Sequence, residues 1–410
     1  MTAELIEGAR ILLDDRIETA SLRIEDGRIT GLDVARDGAR VVPGRGRLLA
    51  PAFVDVHGDA FERQLMPRPG VRVDAEAALL ETDRQLASNG IATAYHALTL
   101  SWEPGLRSVE TGWTVVRALD ALRRRLTVDN QIQVRWETFC AEAFPLISHV
   151  LTGPGHPSVA FNDHTTSMLL HPDVPVQDRP FDHVRDYPVT EFDAPKFLSK
   201  MRDQARRAQI SADDYVDLIR SVWTRRPSVP AAIDDVSALA RGRGVPMLSH
   251  DDSQVETRRF YRKLGARVAE FPMHERVGLE AREAGDIIVL GAPNAMRGGS
   301  HLGSPGAGQM VARGLCDILA SDYYYPAMLG AVVRLHADGV ADLPALWRLV
   351  AANPARAMGL TDRGRIAPGL RADLVLLDWP DGARPAPVRT WAAGRGGYSA
   401  LISEAVTEDA

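Results

Sequence analysis

The stretch Pro51-Ala-Phe-Val-Asp-Val-His-Gly-Asp59 decides how the chain is read. Ala52–Val56 is short, apolar and β-branched, with Pro51 before it and Gly58 after it, which marks a buried strand. His57 and Asp59 stand two apart where that strand ends, and side chains at i and i+2 of an extended chain point the same way. An imidazole and a carboxylate on one face at a strand mouth suit a divalent cation. A loop histidine beside a capping aspartate explains the same pair equally well, so the rest of the chain decides.

Outward from this stretch, apolar runs alternate with helical ones, the pattern of a parallel α/β domain. Strands are expected at 52–56, 92–97, 133–139, 158–162, 245–249, 267–271, 287–291 and 318–321, and helices at 75–88, 109–126, 211–224, 231–241, 257–264 and 308–314. Eight strands alternating with helices predict a (β/α)8 TIM barrel over 51–359. No Gly-x-Gly-x-x-Gly follows the first strand, which argues against an open dinucleotide-binding sheet. Residues 4–50 read as short strands, with Asp26-Gly27 as a hairpin turn, and are too few to fold alone. Gly364–Asp378 and Val388–Arg395 repeat that pattern at the other end, so 1–50 and 360–400 are expected to pair into one small β-sandwich, followed by a tail at 401–410. From Thr165 to about Lys200 the chain holds five prolines among many charges, long for a βα connection, and reads as a lid or an oligomer contact. Arg202–Arg207 reads as a solvated helix face.

Composition narrows the function. Of 410 residues, 45% are hydrophobic and 25% charged, as in ordinary globular proteins, and the net charge of −6 gives no sign of nucleic-acid binding. Cys140 and Cys316 form neither a disulfide framework nor a cysteine zinc motif, and a cytoplasmic location is the expectation. The N-terminus has no signal-peptide pattern and no apolar run is long enough to span a bilayer.

In such a barrel, reactive residues sit at the C-terminal strand ends. There the sequence places His57 and Asp59, Arg135-Trp-Glu137, Asp163-His164, His250-Asp-Asp252 and Asp322. Singly, each has a structural explanation such as a helix cap. Five strands ending in histidine or carboxylate point to a metal centre. Imidazole and carboxylate ligands let a divalent ion lower the pKa of bound water towards ~7. No Gly-x-Ser-x-Gly or cysteine–histidine pattern offers a covalent rival.

A strand, then His-x-His or His-x-Asp, then a long α/β chain resembles the amidohydrolase superfamily. Within it, His57-Gly-Asp-Ala-Phe-Glu-Arg-Gln-Leu-Met-Pro-Arg-Pro-Gly70 resembles the branch of ribose methylphosphonate triphosphate diphosphatases of phosphonate catabolism. The resemblance implies a barrel with a discontinuous β-sandwich and a hydrolase of a phosphoric anhydride that releases diphosphate from a small phosphorylated substrate. It implies His57 and His250 as ligands and Asp322 as ligand and general base, with Glu137 the acidic ligand some branches carry and His164 a further candidate. The fourth strand lacks the lysine that usually bridges two ions, and Asp59 replaces the second histidine, so one or two ions remain open, with zinc, manganese or iron expected. Gly291-Ala-Pro-Asn-Ala-Met-Arg-Gly-Gly-Ser-His301 reads as a phosphate loop in which Arg297, the backbone of Gly298 and Gly299, Ser300 and His301 grip the substrate, with Arg63, Arg68 and Lys200 as further contacts. Two rivals stand beside this reading: cleavage of a C–N bond on the same fold, and a binding barrel without turnover.

Overall fold

The computed structural model describes residues 3–300 and 303–400. Two eight-stranded sheets organise it. The first combines both chain ends: β1 (Glu4–Leu12), β2 (Ile17–Glu25), β3 (Arg28–Leu32), β4 (Arg40–Pro43) and β5 (Leu48–Pro51) join β14 (Leu374–Asp378), β15 (Ala386–Ala392) and β16 (Arg395–Ser399). The expected pairing of the ends is realised where β5 runs antiparallel to β14, Pro51 opposite Leu374. Asp26 and Gly27 both have positive φ, the geometry of the tight hairpin turn between β2 and β3.

Alternation gives this sheet two apolar faces. Leu49, Leu374 and Leu376 join Ile6, Ile11, Leu22 and Trp391 in the sheet's own core. Leu48, Ala50, Val375 and Leu377 point the other way and pack with Phe53, Leu86 and Trp347 of the barrel.

The second sheet is the barrel: β6 (Phe53–Gly58), β7 (Ile91–Leu100), β8 (Asp129–Glu137), β9 (Ser158–Asn162), β10 (Met247–His250), β11 (Val268–Glu270), β12 (Ile287–Gly291) and β13 (Ile318–Ala320), parallel and in sequence order. All eight expected strands are present. At the C-terminal ends β6 and β13 meet through a parallel bridge between Gly58 and Asp322, where Asp322 N donates to His57 O and Asp59 N donates to Asp322 O, each at 2.9 Å. The buried Asp55 carboxylate fastens this seam, accepting from Ser321 N at 3.0 Å, Ser321 Oγ at 2.5 Å and His57 N at 3.3 Å.

Gly58 has no room for a side chain. A Cβ there would lie 2.7 Å from Asp55 Oδ2 and 3.1 Å from Ser321 Oγ and Tyr325 Cε1. Gly58→Ala is therefore expected to cost about 1–3 kcal/mol by overpacking, read as a lowered denaturant midpoint. An unchanged midpoint would mean that the seam yields freely.

The structure adds helices at Phe144–Thr152, Glu275–Glu283 and Ala327–Ala337, and the helix face expected at Arg202–Arg207 belongs to a longer helix, Pro195–Ala208. Pro195–Ala208 begins inside the expected lid. Its buried Phe197, Met201, Ala205 and Ala208 sit at i, i+4, i+8 and i+11, which leaves Arg202, Arg206 and Arg207 on the solvated face. Among the described residues no helix is long and apolar enough to cross a membrane.

Candidate metal centre

The barrel strands supply the site because their C-terminal ends carry imidazoles and carboxylates. Along β8, Val134 and Trp136 pack outward, while Gln133, Arg135 and Glu137 alternate with them and face the barrel interior. On β6, Val54 and Val56 pack in the interior with Leu248 and Val289. The register then slips between Asp55 and Gly58, and this bulge turns His57 inward beside Val56, where strict alternation would send it out. Asp251, Phe271 and Asp322, which follow β10, within one residue β11, and within two residues β13, all have positive φ of 54–59°. Non-glycine residues there are rare, and at strand ends they turn side chains into the barrel mouth.

Three overlapping groups of donors result: His57, Asp59 and Asp322; His57, His250 and Glu270; and His164, His250 and Asp251, the ligand atoms of each lying within 4.8 Å of one another. Glu270 stands behind both central histidines. Its carboxylate accepts from His250 Nδ1 at 2.7 Å and from Gln133 Nε2 at 2.8 Å, and its Oε1 lies 3.0 Å from His57 Nδ1. A carboxylate on each Nδ1 leaves each Nε2 facing inward, the support that metal-ligating histidines use. Burial alone would raise Glu270, but His57 and His250 outweigh it and hold its carboxyl well below the usual range. Burial first, and then the Arg135 guanidinium, lower His250 to about 4, so it is a neutral imidazole at neutral pH. Burial first, and then the Asp59 carboxylate, push Asp322 up to about 6.

These residues fit a divalent ion. His57 is 1% exposed and its Nε2 has no protein partner, a cost in free energy that a ligand would remove. Neutral imidazole and carboxylate oxygen are the donor types such ions take.

Several sequence expectations are re-sited. Glu137 belongs to none of the three donor groups. It accepts from His164 N at 3.1 Å, lies 3.0 Å from His164 Nδ1, and also binds Asn162 Nδ2, so it holds the end of β9 in place. Arg135 turns away from Glu137 towards His250 Nε2, 2.8 Å from its Nη2, and Asp59, 3.7 Å from its Nη1. Asp163 is a helix cap, accepting from Thr166 N at 2.8 Å. Asp252 is buried on Arg258 and Ser249.

The expected phosphate loop is a helix, Ala292–Arg297, started by Pro293 and stopped by Gly298 with φ 83°. That turn of helix leaves Arg297 and Gly298 exposed and does not bring them to the cavity, whereas Ser300 lines it. His301 lies outside the described residues. Arg63 is exposed and stacks 6.0 Å from the Tyr323 ring at the rim, and Arg68 sits in an exposed turn bridged to Val71.

The donors open into a cavity of ≈ 320 Å³ that Arg107 and Arg135 also line, with Phe271 and Met273 as an apolar wall. A second recess of ≈ 280 Å³ adjoins it, sharing Arg107 and His164 and adding Lys200, Gln204 and Arg207. Val176 of the 170–194 segment lines this recess, and the segment is pinned by the buried Arg179, which donates to Asp163 O at 3.0 Å and Asp251 O at 2.9 Å. Sequence reasoning missed Asp251, Glu270 and Arg107. Asp251 lies inside the run His250-Asp-Asp252 without having been singled out, Glu270 ends a strand, β11, that gave no site candidate, and Arg107 carries no local signal.

A parallel barrel whose strand ends gather imidazoles and carboxylates defines a metal-dependent hydrolase, and the chain belongs to the amidohydrolase family, which matches residues 174–396. Among curated proteins it is 28% identical, over 92% of its length and 96% of the relative's, to the alpha-D-ribose 1-methylphosphonate 5-triphosphate diphosphatase of Escherichia coli (strain K12). Solved structures share the fold at lower identity. A zinc-bound adenosine deaminase from Xanthomonas campestris superposes with a TM-score of 0.61 at 14% identity, covering 97% of this chain and 93% of that one. Molinate hydrolase gives 0.60 at 14%, covering 96% and 94%.

Proposed function

We propose that this hydrolase cleaves a phosphoric anhydride of a ribose phosphonate 5-triphosphate and releases diphosphate, in phosphonate catabolism in the cytoplasm. The observation that carries the reading is a row of cations: Arg107, held by both oxygens of Glu62 at 3.0 and 2.9 Å, and Arg135 line the cavity beside the donor groups, and Lys200 and Arg207 line the recess that continues from it, together with Glu103 and Glu137. In a chain of net charge −6, such a row is a local provision for a polyanion. The name of the Escherichia coli relative supports the same substrate class.

His57, Asp59 and Asp322 would hold a divalent ion, zinc by preference, with His164, His250 and Asp251 as a second donor group. Bound there, the ion supplies Lewis acidity and lowers the pKa of water. Asp322 accepts the proton of the attacking water as the new P–O bond forms, and returns it to the departing diphosphate oxygen as the old P–O bond breaks. Arg135 and Arg107 offset the charge on the non-bridging oxygens. Phe271 and Met273 keep bulk water from one side.

The test is turnover on ribose triphosphates against cyclic amides, with diphosphate assayed directly. Amide turnover without diphosphate release would replace this reading with C–N cleavage. Substitutions locate the phosphate contact. Lys200→Ala is expected to raise KM for the triphosphate about tenfold, the size of one charge-assisted contact. Arg297→Ala, at an exposed helix end, is expected to change it less than twofold. The reverse ranking would return the phosphate chain to the Arg297 loop.

A further inference from the structure

Arg135 stands where a metal-rich site would not be expected to tolerate it. Its side chain is 8% exposed and reaches His250 of one donor group and Asp59 of another. Nη2 lies 2.8 Å from His250 Nε2, and Nη1 lies 3.7 Å from Asp59 Oδ2. An arginine is always protonated and can only donate, so His250 Nε2 must be the acceptor and its Nδ1–H must point to Glu270. Both nitrogens of His250 are thereby committed. His57 differs: its Nδ1 faces Glu270, and its buried Nε2 has no protein partner.

We propose that the guanidinium of Arg135 takes the place of a second metal ion, so that the chain binds one divalent ion, at His57, Asp59 and Asp322. This rests on the metal-hydrolase reading. The group formed by His164, His250 and Asp251 has ligand atoms close enough for an ion. Its central imidazole, however, already gives its lone pair to a cation of fixed charge. A divalent ion entering there would have to displace the 2.8 Å contact from the lone pair of His250 Nε2, whereas at His57, Asp59 and Asp322 the guanidinium makes only the longer approach of 3.7 Å to Asp59. His250, paired with Glu270 behind it, acts as a positioning residue for Arg135. Arg135 Nε is also buried without a hydrogen-bond partner, so the guanidinium is held by few contacts other than those to His250 and Asp59. An arginine fixed in this way offers a charge that neither dissociates nor depends on metal supply.

The proposal is tested by metal stoichiometry, independently of activity. Protein saturated with zinc and freed of excess by gel filtration is analysed by inductively coupled plasma mass spectrometry. Wild type is expected to hold one ion per chain, Arg135→Met two, and Arg135→Lys one. His250→Ala is expected to keep its ion, and His57→Ala to lose it. Two ions in wild type, one ion in a folded Arg135→Met, or loss of the ion from His250→Ala would each overturn the proposal while leaving the hydrolase reading intact. A wild type that holds no ion would overturn both. If Arg135→Met does not fold, the wild-type count and His250→Ala still decide.

Discussion

Asp322→Asn is expected to lower turnover by about 10²-fold or more, the usual cost of losing a general base, while much of the bound metal is retained. The substitution keeps the shape and one oxygen donor but removes the proton acceptor. The backbone at this position is fixed independently of the side chain, because Asp322 N donates to His57 O and Asp322 O accepts from Asp59 N across the barrel seam. The positive φ of 55° is tolerated better by asparagine than by most residues. A loss of rate can therefore be read as a loss of chemistry. The measurement is kcat beside metal content for the same preparation. Near-normal kcat in a well-metallated Asp322→Asn would place the base elsewhere, and Asp251 would be examined next.

Arg179→Met is expected to destabilise the protein by about 3–5 kcal/mol, the cost of breaking a buried charge network by removing one partner. Arg179 is 2% exposed. Its guanidinium joins two carbonyls from different strand ends to the Asp182 carboxylate at 3.5 Å, and its own carbonyl accepts from Ser253 Oγ at 3.0 Å and Gln254 Nε2 at 2.7 Å. Methionine would fill much of the volume but leave Asp182, itself 2% exposed, without its cation. Burial first, opposed by Arg179, already pushes Asp182 up to about 7, so the aspartate would be expected to protonate in the variant. Since Arg179 binds Asp251 O, the 170–194 segment and the second donor group should loosen together. Urea denaturation measures the loss, and limited proteolysis within 170–194 shows whether the segment opens. A variant as stable as wild type, with that segment still protected, would mean that the apolar contacts of Tyr187 and its neighbours hold it unaided.

Much of the barrel was legible because each strand is a short apolar run between breakers, and the ends of Ser158–Asn162 and Ile287–Gly291 coincide with those read from the sequence. The rule that barrel strands present chemistry at their C-terminal ends led to His57, Asp59, His250 and Asp322, which the structure brings together. It could not tell a ligand-type residue from one serving another residue. Glu137 and Glu270 both end their strands, yet Glu137 binds the start of the helix that follows the neighbouring strand β9, while Glu270 stands behind two imidazoles. That difference depends on which strands are neighbours across the barrel. The loop after β12 was misread for a local reason. Its glycines suggested a backbone cradle, whereas Pro293 and Gly298 are the start and stop of one short helix that carries Arg297 outward. Arg135 stands two residues from Glu137, yet its length lets it cross the barrel to His250, which sequence proximity does not disclose.

The junction between the two sheets bears on how the protein is made. β5 passes into β6 through Ala52 alone, so the strand that carries His57 is tied to a strand whose partner, β14, is synthesised after the whole barrel. At about 5–20 residues per second, a ribosome would need on the order of 15–65 s to span that interval. During that time one edge of β5 stays open beside apolar Leu48, Leu49 and Ala50, a surface that invites pairing with another nascent chain. Emergence of β14 is thus the event that caps this edge. A message truncated before β14 would leave this edge uncapped, and its product is expected to be prone to aggregation. The last strands made guard the first ones made.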